Sequence, residues 1–404
     1  IIRILILKII MNIGIGFSND PDPEIAAKNA AFEAKTKLER DRIDFAIIFF
    51  SIHYKAGTIL PVVRRILNNA PLIGSSTTGI ILKNSCETRG IGILTVNSDR
   101  ISFSLSHVDR VNTRDSFEAG KSLAQSALES FSTSLRYVFL SFVDGQLQNK
   151  TPFIKGIQDG LGETFPIVGA SCSDDFRFLQ TFQMCQNKAF DHSAVGILLG
   201  GDISIGIGTR HGWRPVGKPR TITQASGNII QAIDNKPASH IFEEYFGDDA
   251  RSFKNSQFGQ MSLLYPLGIN VKQGKEFLVR NTLDILDDGS IVSQGDVPQG
   301  SEIHIMLGNK ESCKIAALEA SEEALKNLGL KTKARVVIVI NSMARLKLQG
   351  RSAFEEIQKV EEIFGPDTAI FGMYSSGEIC PLEETDTLKK STLQNESIVI
   401  LAIG

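Results

Sequence analysis

Three short segments of small and hydroxylated residues are the first candidates for chemistry. They lie at residues 75–79, 169–175 and 375–378. Their backbone N–H groups are not shielded by bulky side chains, and their hydroxyls can donate or accept hydrogen bonds, which suits a small polar or anionic ligand. The same composition also serves tight turns between elements. The ligand-binding candidates in these segments are Ser75, Ser76, Asp174, Ser375, Ser376 and Glu378.

A second candidate is the segment HGWRPVGKPR at residues 211–220, which holds the only tryptophan of the chain. The guanidinium of Arg214 and the indole of Trp213 together could clamp a carboxylate or stack on a planar ligand. The alternative is an ordered loop in which the tryptophan fills a domain junction and the arginines pair with acids on neighbouring elements. Both interpretations stay open on the sequence.

A third candidate follows a predicted strand near the C-terminus, where Asn341, Ser342 and Arg345 stand close together. An arginine and Glu378 facing one pocket would recognise a zwitterion, the arginine binding its carboxylate and the glutamate its amine. A structural ion pair would use the same residue types, so this alternative also stays open.

Enzyme motifs are absent from the sequence. The segment at Gly14 and Gly16 has Asn19 where a dinucleotide fingerprint has its third glycine, residues 74–79 lack a Walker lysine, and no G-x-S-x-G elbow surrounds Ser76 or Ser376. The six histidines and five cysteines form no zinc-like pattern. We therefore expect a non-enzymatic protein without cofactor or metal.

Two rival functions remain at this stage. One is an enzyme that acts on a carbonyl or amide through Ser342 or Cys172, with Glu378 or Asp174 as the base. The other is a non-catalytic interaction scaffold in which the small-residue segments are structural and no ligand binds. Triads are recognised by geometry rather than by chain order, so the sequence does not decide between these functions.

The elements that must position these residues occur in a unit that is repeated three times. Each copy has an amphipathic helix, a continuous apolar strand, a second helix and a second strand that enters the small-residue segment, followed by a hairpin. The apolar strands lie at residues 45–50, 137–142 and 336–340. Strand-helix-strand connections favour parallel pairing and hairpins add antiparallel strands, so the predicted fold class is α/β with mixed sheets and packed helices. Turn residues at 97–99 and 200–202 predict further hairpins.

Length and repeat order predict two domains. A chain of 404 residues is long enough for two or three domains, and we place the boundary near residues 223–228, after two copies of the repeat. The predicted domains are residues 12–225 and 226–404. The apolar start, Ile1 to Ile10, is interrupted by Arg3 and Lys8, and we interpret it as a buried strand or as residues upstream of a start at Met11.

Composition excludes several partners. With 43 Lys+Arg against 45 Asp+Glu, the chain has no broad basic surface for nucleic acid. The apolar start is shorter than the roughly 18 to 20 residues of a membrane span, so no membrane association is expected. The cysteines are scattered and odd in number, which favours reduced thiols in the cytoplasm.

Several motifs resemble the FIST N and FIST C domains. The FIST N resemblance rests on DPDP at residues 20–23, the Gly169-Ala170-Ser171 segment and above all HGWRPVGKPR at 211–220; the FIST C resemblance rests on LVRN at 278–281, GDVPQG at 295–300 and YSSGEI at 374–379. The resemblance implies a sensory module that binds small ligands such as amino acids. Family members occur alone or fused to histidine kinases or chemotaxis receptors.

This resemblance leads to one overall expectation. The chain is expected to be a cytoplasmic sensor of an amino-acid-like ligand that has no attached output domain and signals through a separate protein such as a histidine kinase or chemotaxis receptor. One departure concerns the segment at Ser342, where the family usually has a cysteine three residues before the arginine. This departure argues against a thiol-based role there.

Overall fold

The structure is a computed structural model that describes residues 11–247, 263–270, 277–329, 332–383 and 389–404. The expectation for Ile1 to Ile10 lies outside the described residues. The α-helices are α1 (Pro23–Leu38), α2 (Ala56–Ile66), α3 (Ser116–Glu129), α4 (Thr151–Leu161), α5 (His240–Phe246), α6 (Lys310–Leu328), α7 (Met343–Gln349) and α8 (Phe354–Phe364), with a 3-10 turn at Gly350–Ser352.

The strands alternate with these helices along most of the chain. They are β1 (Asn12–Ser18), β2 (Phe45–Ser51), β3 (Leu72–Thr77), β4 (Gly79–Leu82), β5 (Ser85–Glu87), β6 (Ile91–Asn97), β7 (Ile101–Val108), β8 (Arg136–Val143), β9 (Ile167–Ser171), β10 (Gln183–Cys185), β11 (Lys188–Phe190), β12 (Ala194–Gly201), β13 (Ile205–Arg210), β14 (Arg214–Ser226), β15 (Ile229–Ile233), β16 (Lys236–Pro237), β17 (Leu267–Asn270), β18 (Phe277–Arg280), β19 (Thr282–Ile285), β20 (Ile291–Ser293), β21 (Glu302–Leu307), β22 (Val336–Ser342), β23 (Ala369–Ser375), β24 (Gly377–Glu383), β25 (Lys389–Gln394) and β26 (Ile398–Ile403).

The three repeats build three similar sheets. Their first four strands run β1-β6-β2-β3, β7-β12-β8-β9 and β13-β26-β22-β23. The pairs β2/β3, β8/β9 and β22/β23 are parallel, and the other neighbours in these sheets are antiparallel. The predicted α/β class, mixed sheets and internal repeat are therefore confirmed.

Each copy also gives a hairpin to the sheet of another copy. The hairpin β4–β5 joins β23, β10–β11 joins β3, and β24–β25 joins β9. Each of these three sheets therefore has six strands. The exchange is cyclic, because each copy lends one hairpin and receives one. As a result, the segments between β3 and β4, between β9 and β10 and between β23 and β24 cross from one sheet to another.

The hairpins predicted at residues 97–99 and 200–202 are wrong. These turns connect strands of different sheets, because β6 is already paired on both sides by β1 and β2, and β12 by β7 and β8. The small-residue segments also differ from the expected loops, since most of their residues lie inside strands, namely β3, β4, β9, β23 and β24. A turn motif marks a reversal of the chain but does not specify the sheet that receives the next strand.

Each sheet is covered on both faces. The inner faces share one core in which the ring of Phe49 lies 5.3 Å from that of Phe142 and 5.1 Å from that of Phe371, centroid to centroid. The outer faces pack against α1 and α2, against α3 and α4, and against α6, α7 and α8. This double burial explains the continuous apolar runs that the sequence shows in β2, β8 and β22.

Two glycines of β1 let α1 lie directly on the strand. A Cβ atom on Gly16 would lie 2.0 Å from the carbonyl oxygen of Ala30 and 2.5 Å from the amide nitrogen of Ala34, and Gly14 is equally crowded. The segment that superficially resembles a dinucleotide fingerprint is thus explained by helix packing. The helix itself begins at Pro23, with the carboxylate of Asp22 accepting the N–H groups of Glu24 and Ile25.

We expect Gly16→Ala to destabilise the protein by about 3 kcal/mol, because overpacking against rigid backbone cannot be relieved by a side-chain rotation. Chemical denaturation measures the free energy of unfolding. The control is Gly57→Ala on α2, where a Cβ atom meets nothing within 4 Å and helix propensity should raise stability by about 0.5–1 kcal/mol. Equal stability of the two variants would contradict the packing argument.

An additional sheet is inserted between β13 and α6. Its strands run β18-β17-β21-β14-β15-β20-β19, with β16 paired to β15, and α5 packs on its core. The boundary that the sequence suggests near residues 223–228 falls between the paired strands β14 and β15, and the division into residues 12–225 and 226–404 stays a prediction. Within the described residues, no helix has the length and apolar character needed to cross a membrane.

Candidate functional site

The three small-residue segments meet in one cluster. The hydroxyl of Ser76 donates to the carbonyl oxygen of Ser173 (3.1 Å). The hydroxyl of Ser173 in turn donates to the backbone carbonyl oxygen of Tyr374 (2.7 Å). The hydroxyl of Ser376 donates to the carbonyl oxygen of Cys172 (2.9 Å). These bonds follow from the hairpin exchange, which brings the carboxyl ends of β3, β9 and β23 together.

A cavity of about 330 Å³ opens beside this cluster. Its wall combines the segment after β8, the end of β23 with Ser376, the start of α7 and two segments of the inserted sheet. The lining residues are Gly145, Gln146, Leu147, Gln148, Lys150, Phe178, Leu263, Asn281, Thr282, Leu283, Gln294, Met343 and Ser376. Its volume lies within the range of small-molecule sites.

Lys150 is the one charged side chain among the described residues that line this cavity. It is only 2% exposed, and its ammonium donates to the carbonyl oxygens of Gly145 (3.1 Å) and Leu147 (2.5 Å). Burial lowers the pKa of Lys150 to about 8, and the nearby Asp144 offsets part of this effect. An ammonium has three N–H donors, so one remains for an anionic group in the cavity.

Polar groups of the inserted sheet complete the wall. The Thr282 hydroxyl is buried and has no hydrogen-bond partner among the described residues. The Asn281 amide donates to Gln294 (3.3 Å), whose own amide donates to the carbonyl oxygen of Ser376 (2.5 Å). An unpaired buried polar group costs roughly 1–3 kcal/mol, which a ligand with a matching group would offset.

Arg345 does not reach this cavity. It is fully buried, its Nε and Nη2 contact the carboxylate of Glu356 at 3.3 and 3.2 Å, and Nη1 donates to the carbonyl oxygen of His211 (2.5 Å). Glu378 instead accepts from the hydroxyl of Ser375 (2.6 Å) and the amide of Ser397 (3.0 Å). The geometry therefore favours the structural ion pair over the zwitterion clamp of Arg345 and Glu378.

In the tryptophan segment at residues 211–220, the side chains of Trp213 and Arg214 lie in different environments. Trp213 is 3% exposed and packs against Met306 and Cys313, whereas Arg214 on β14 is exposed. The two side chains therefore do not form a clamp, and the tryptophan fills a junction, as the alternative interpretation had it. The carboxylate of Asp174 closes its own loop by accepting the amides of Phe178, Leu179 and Gln180.

The other predicted residues have protein partners as well. Ser75 is buried against the sulfur of Met373 (3.8 Å). Asn341 donates to Glu356 (2.8 Å), and Ser342 caps α7 and donates to Glu396 (3.3 Å). Of the eleven predicted site residues, only Ser376 lines the cavity.

The sequence analysis missed Lys150 and Thr282. Lys150 occupies the N-cap position of α4 without capping it, and Lys55 occupies the same position of α2 in copy one. Lys55 is exposed whereas Lys150 is buried, so the sequence signal is the same for a surface lysine and for a cavity lysine. The tertiary structure makes the difference, because it turns the Lys150 ammonium onto the carbonyl oxygens of Gly145 and Leu147.

Two buried carboxyl groups lie behind the cavity wall. Burial raises the pKa of Glu378 to about 8, although hydrogen bonds from Ser375 and Ser397 oppose this shift. Burial and the neighbouring Glu378 raise the pKa of Glu396 well above its usual range, against hydrogen bonds from Asn281 and Ser342. Both carboxyl groups therefore favour the neutral form in the folded protein.

We expect the contribution of Glu378 to thermal stability to fall as the pH rises from about 5 to 8. A raised pKa means that the folded state holds a proton that the unfolded state has released, so this contribution decreases between the ordinary pKa of 4.5 and about 8 and levels off above it. Glu378→Gln imitates the neutral form and should flatten this slope. A melting-temperature profile that is equally steep in the variant would contradict a neutral Glu378.

The described residues offer no metal site, since no group of three His, Cys, Asp or Glu side chains in them could hold a metal ion. The described residues include no disulfide-bonded cysteine. Burial raises the pKa of Cys172 to about 12. A thiol that remains protonated at neutral pH is a poor nucleophile, so this geometry does not favour the enzyme hypothesis based on Cys172.

Comparison with known proteins gives distant relatives. Two uncharacterized proteins of Mycobacterium tuberculosis strains are each 22% identical over 92% of this chain and 95% of their own length. An uncharacterized protein of Methanocaldococcus jannaschii is 25% identical to this chain. That match covers 37% of this chain and 31% of the length of that protein. None of these relatives carries a function in its name.

Among solved structures, a cyanuric acid hydrolase from A. caulinodans matches 97% of this chain and 99% of its own, with a TM-score of 0.40 and 7% identity. PurLQS from Thermotoga maritima matches 98% of this chain and 72% of its own, with a TM-score of 0.23 and 10% identity. TM-scores this low establish no shared function.

Family comparison is decisive by contrast. Residues 44–236 match the FIST N domain and residues 238–381 match the FIST C domain, which together cover nearly the whole chain. FIST domains are sensory domains that bind small ligands. The resemblance seen in the sequence is thus confirmed, and the chain belongs to the FIST family.

Proposed function

We propose that this protein is a non-enzymatic sensor that binds a free amino acid or a related small carboxylate in the cavity beside Ser376. The observation that carries the proposal is the buried Lys150, a cation that forms no salt bridge among the described residues although Asp144 is nearby, in the wall of a cavity of about 330 Å³. Its remaining N–H would bind the ligand carboxylate.

The rest of the wall fits an amino acid. The unpaired hydroxyl of Thr282 can accept a hydrogen bond from the ligand amine. Phe178, Leu263 and Met343 supply apolar surface for a side chain. A cavity of this type, mostly apolar with a few fixed polar groups, is typical of small-ligand sites.

A catalytic role is disfavoured by the partners of the candidate nucleophiles. The Ser376 hydroxyl contacts the Ser171 hydroxyl (2.8 Å) and a carbonyl oxygen, and neither is a base. Ser342 does have a carboxyl group within reach, that of Glu396 (3.3 Å), but burial favours the neutral form of this group, and Ser342 itself is 3% exposed and serves as a helix cap. A serine nucleophile needs a general base within hydrogen-bond reach, so binding without turnover is the simpler function.

The experiment is thermal unfolding of the protein against the twenty amino acids and a panel of small organic acids. A ligand present at about 100 times its Kd adds roughly 2.7 kcal/mol to the free energy of unfolding, which raises the melting temperature by several degrees. The hits are then titrated calorimetrically and incubated with the protein while product formation is followed. The absence of any shift, or turnover that Ser376→Ala abolishes, would overturn the sensor proposal.

The proposed signalling role has two further parts. A separate protein, such as a histidine kinase or chemotaxis receptor, would receive the signal, and the compartment would be the cytoplasm. The lack of disulfide-bonded cysteines among the described residues supports the cytoplasmic assignment. Affinity capture with and without the identified amino acid, followed by reconstitution with the captured kinase or receptor, tests the partner.

A further inference from the structure

A second cavity, of about 670 Å³, lies on the other side of Asn281 and is not used by the proposed function. One wall is formed by α4 and the hairpin β24–β25, and the other by the inserted sheet. Arg280 on β18 belongs to this wall, whereas the next residue in the chain, Asn281, lines the first cavity. The two cavities therefore share a strand end.

Arg280 is a buried cation without a carboxylate partner among the described residues. It is 3% exposed, and it donates from Nε to the carbonyl oxygen of Asp296 (3.2 Å) and from Nη1 to those of Val279 (3.2 Å) and Leu393 (2.9 Å). The carboxylate of Asp296 is instead engaged by Lys155 (3.4 Å) and by an asparagine amide. Carbonyl dipoles offset a buried charge less well than a counterion does.

The contrast with Arg345 is informative. Both guanidiniums are buried, but that of Arg345 has the carboxylate of Glu356 beside it. Burial lowers the pKa of Arg280 to about 10, with partial compensation from Asp296. Arg280 is thus still charged at neutral pH and presents Nη2, which has no hydrogen bond to any of the described residues, as a donor for an anion.

The surroundings of Arg280 suit an anion. The hydroxyl of Thr392, also in the cavity wall, is buried and has no hydrogen-bond partner among the described residues. Lys155 and Lys390 stand at the rim, so the described lining residues include three cations (with Arg280) against two carboxylates, Asp296 and Glu163. Positively charged side chains therefore outnumber negatively charged ones in the described lining of this cavity.

We propose that this second cavity is an oxyanion site, in which the guanidinium of Arg280 and the hydroxyl of Thr392 bind a carboxylate or phosphate group of a small ligand. Guanidinium groups recognise such anions through paired N–H donors. The site is independent of the ligand proposed for the first cavity. A bound anion would contact both walls and so connect the hairpin β24–β25 to the inserted sheet.

The test is a titration of the whole protein with inorganic phosphate and, separately, with acetate, at an ionic strength held constant with NaCl. Saturable binding by calorimetry is expected for at least one probe, and the comparison of the two distinguishes a phosphate from a carboxylate group. Arg280→Lys keeps the charge but loses the N–H donors of Nη2, so we expect at least about tenfold weaker binding. Thr392→Val is expected to weaken binding about fivefold through the loss of one hydrogen bond.

Two controls give the experiment a clear outcome. Phosphate or acetate binding that Lys150→Met abolishes and Arg280→Lys leaves unchanged would belong to the first cavity, whereas Lys55→Met, at an exposed lysine outside both linings, should leave binding unchanged. If Arg280→Lys does not fold, the anion affinities of Thr392→Val and Lys155→Met test the site instead, and both are expected to be weaker than that of the wild type. Binding of neither probe, or equal affinity in the wild type and in the folded variants, would overturn the second site without affecting the amino-acid proposal for the first.

Discussion

Lys150→Met is expected to weaken binding of the amino-acid ligand by about ten- to a hundredfold. Hydrogen bonds to charged groups contribute about 1.5–3 kcal/mol, and Lys150 is the one cation among the described residues that line the first cavity. Methionine preserves most of the apolar volume of the side chain. Isothermal titration calorimetry with the ligand identified by thermal unfolding measures the effect.

The stability of this variant should change little. The lost hydrogen bonds to Gly145 and Leu147 are offset by removal of a charge that burial disfavours. The matched control is Lys55→Met, because Lys55 has the same position in copy one but is exposed. Wild-type affinity in Lys150→Met, with the fold intact, would contradict the assignment of the carboxylate subsite.

Arg345→Ala is expected to lower the free energy of unfolding by about 3–5 kcal/mol. The substitution leaves the carboxylate of Glu356, which is itself fully buried, without its cation, and breaking one side of a buried pair has a cost of this size. It also removes the donors to the carbonyl oxygens of His211 and Cys313. Chemical denaturation with a structural probe measures the loss.

A double variant separates charge from packing. Arg345→Met combined with Glu356→Leu removes both charges and should recover part of the lost stability. Lys333→Ala, which breaks an exposed ion pair with Asp367, should leave the melting temperature unchanged. If Arg345→Ala were as stable as the wild type and failed to bind the amino acid, Arg345 would be a ligand residue, as the zwitterion hypothesis holds.

Local patterns in the sequence predicted much of the architecture. The strand predicted at residues 45–50 is β2, extended by one residue, and the helix predicted before it is α1. The reason is that the apolar patterns of helices and strands and the signals at their ends depend on neighbours within a few residues. The repeat also predicted that the small-residue segments would be equivalent, and Ser376, which came from that argument, lines the cavity.

The exchange of hairpins between copies was decided by the tertiary structure. Nothing in the turn at residues 97–99 indicates that β6 has both edges occupied, so a hairpin was the natural prediction. The pairing of strands far apart in the chain is a property of the whole sheet. The same exchange converts three separate segments into one cluster.

The sequence by itself determined the repeated α/β units, their capping and apolar patterns, and the family. The tertiary structure alone decided which charged side chains are paired. Arg345 forms a salt bridge with Glu356, whereas Lys150 and Arg280 are buried and form no salt bridge with a carboxylate among the described residues. The physical reason is that the energy of a charge depends on burial and on the distance to its counterion, and both are set by contacts between residues that are remote in sequence.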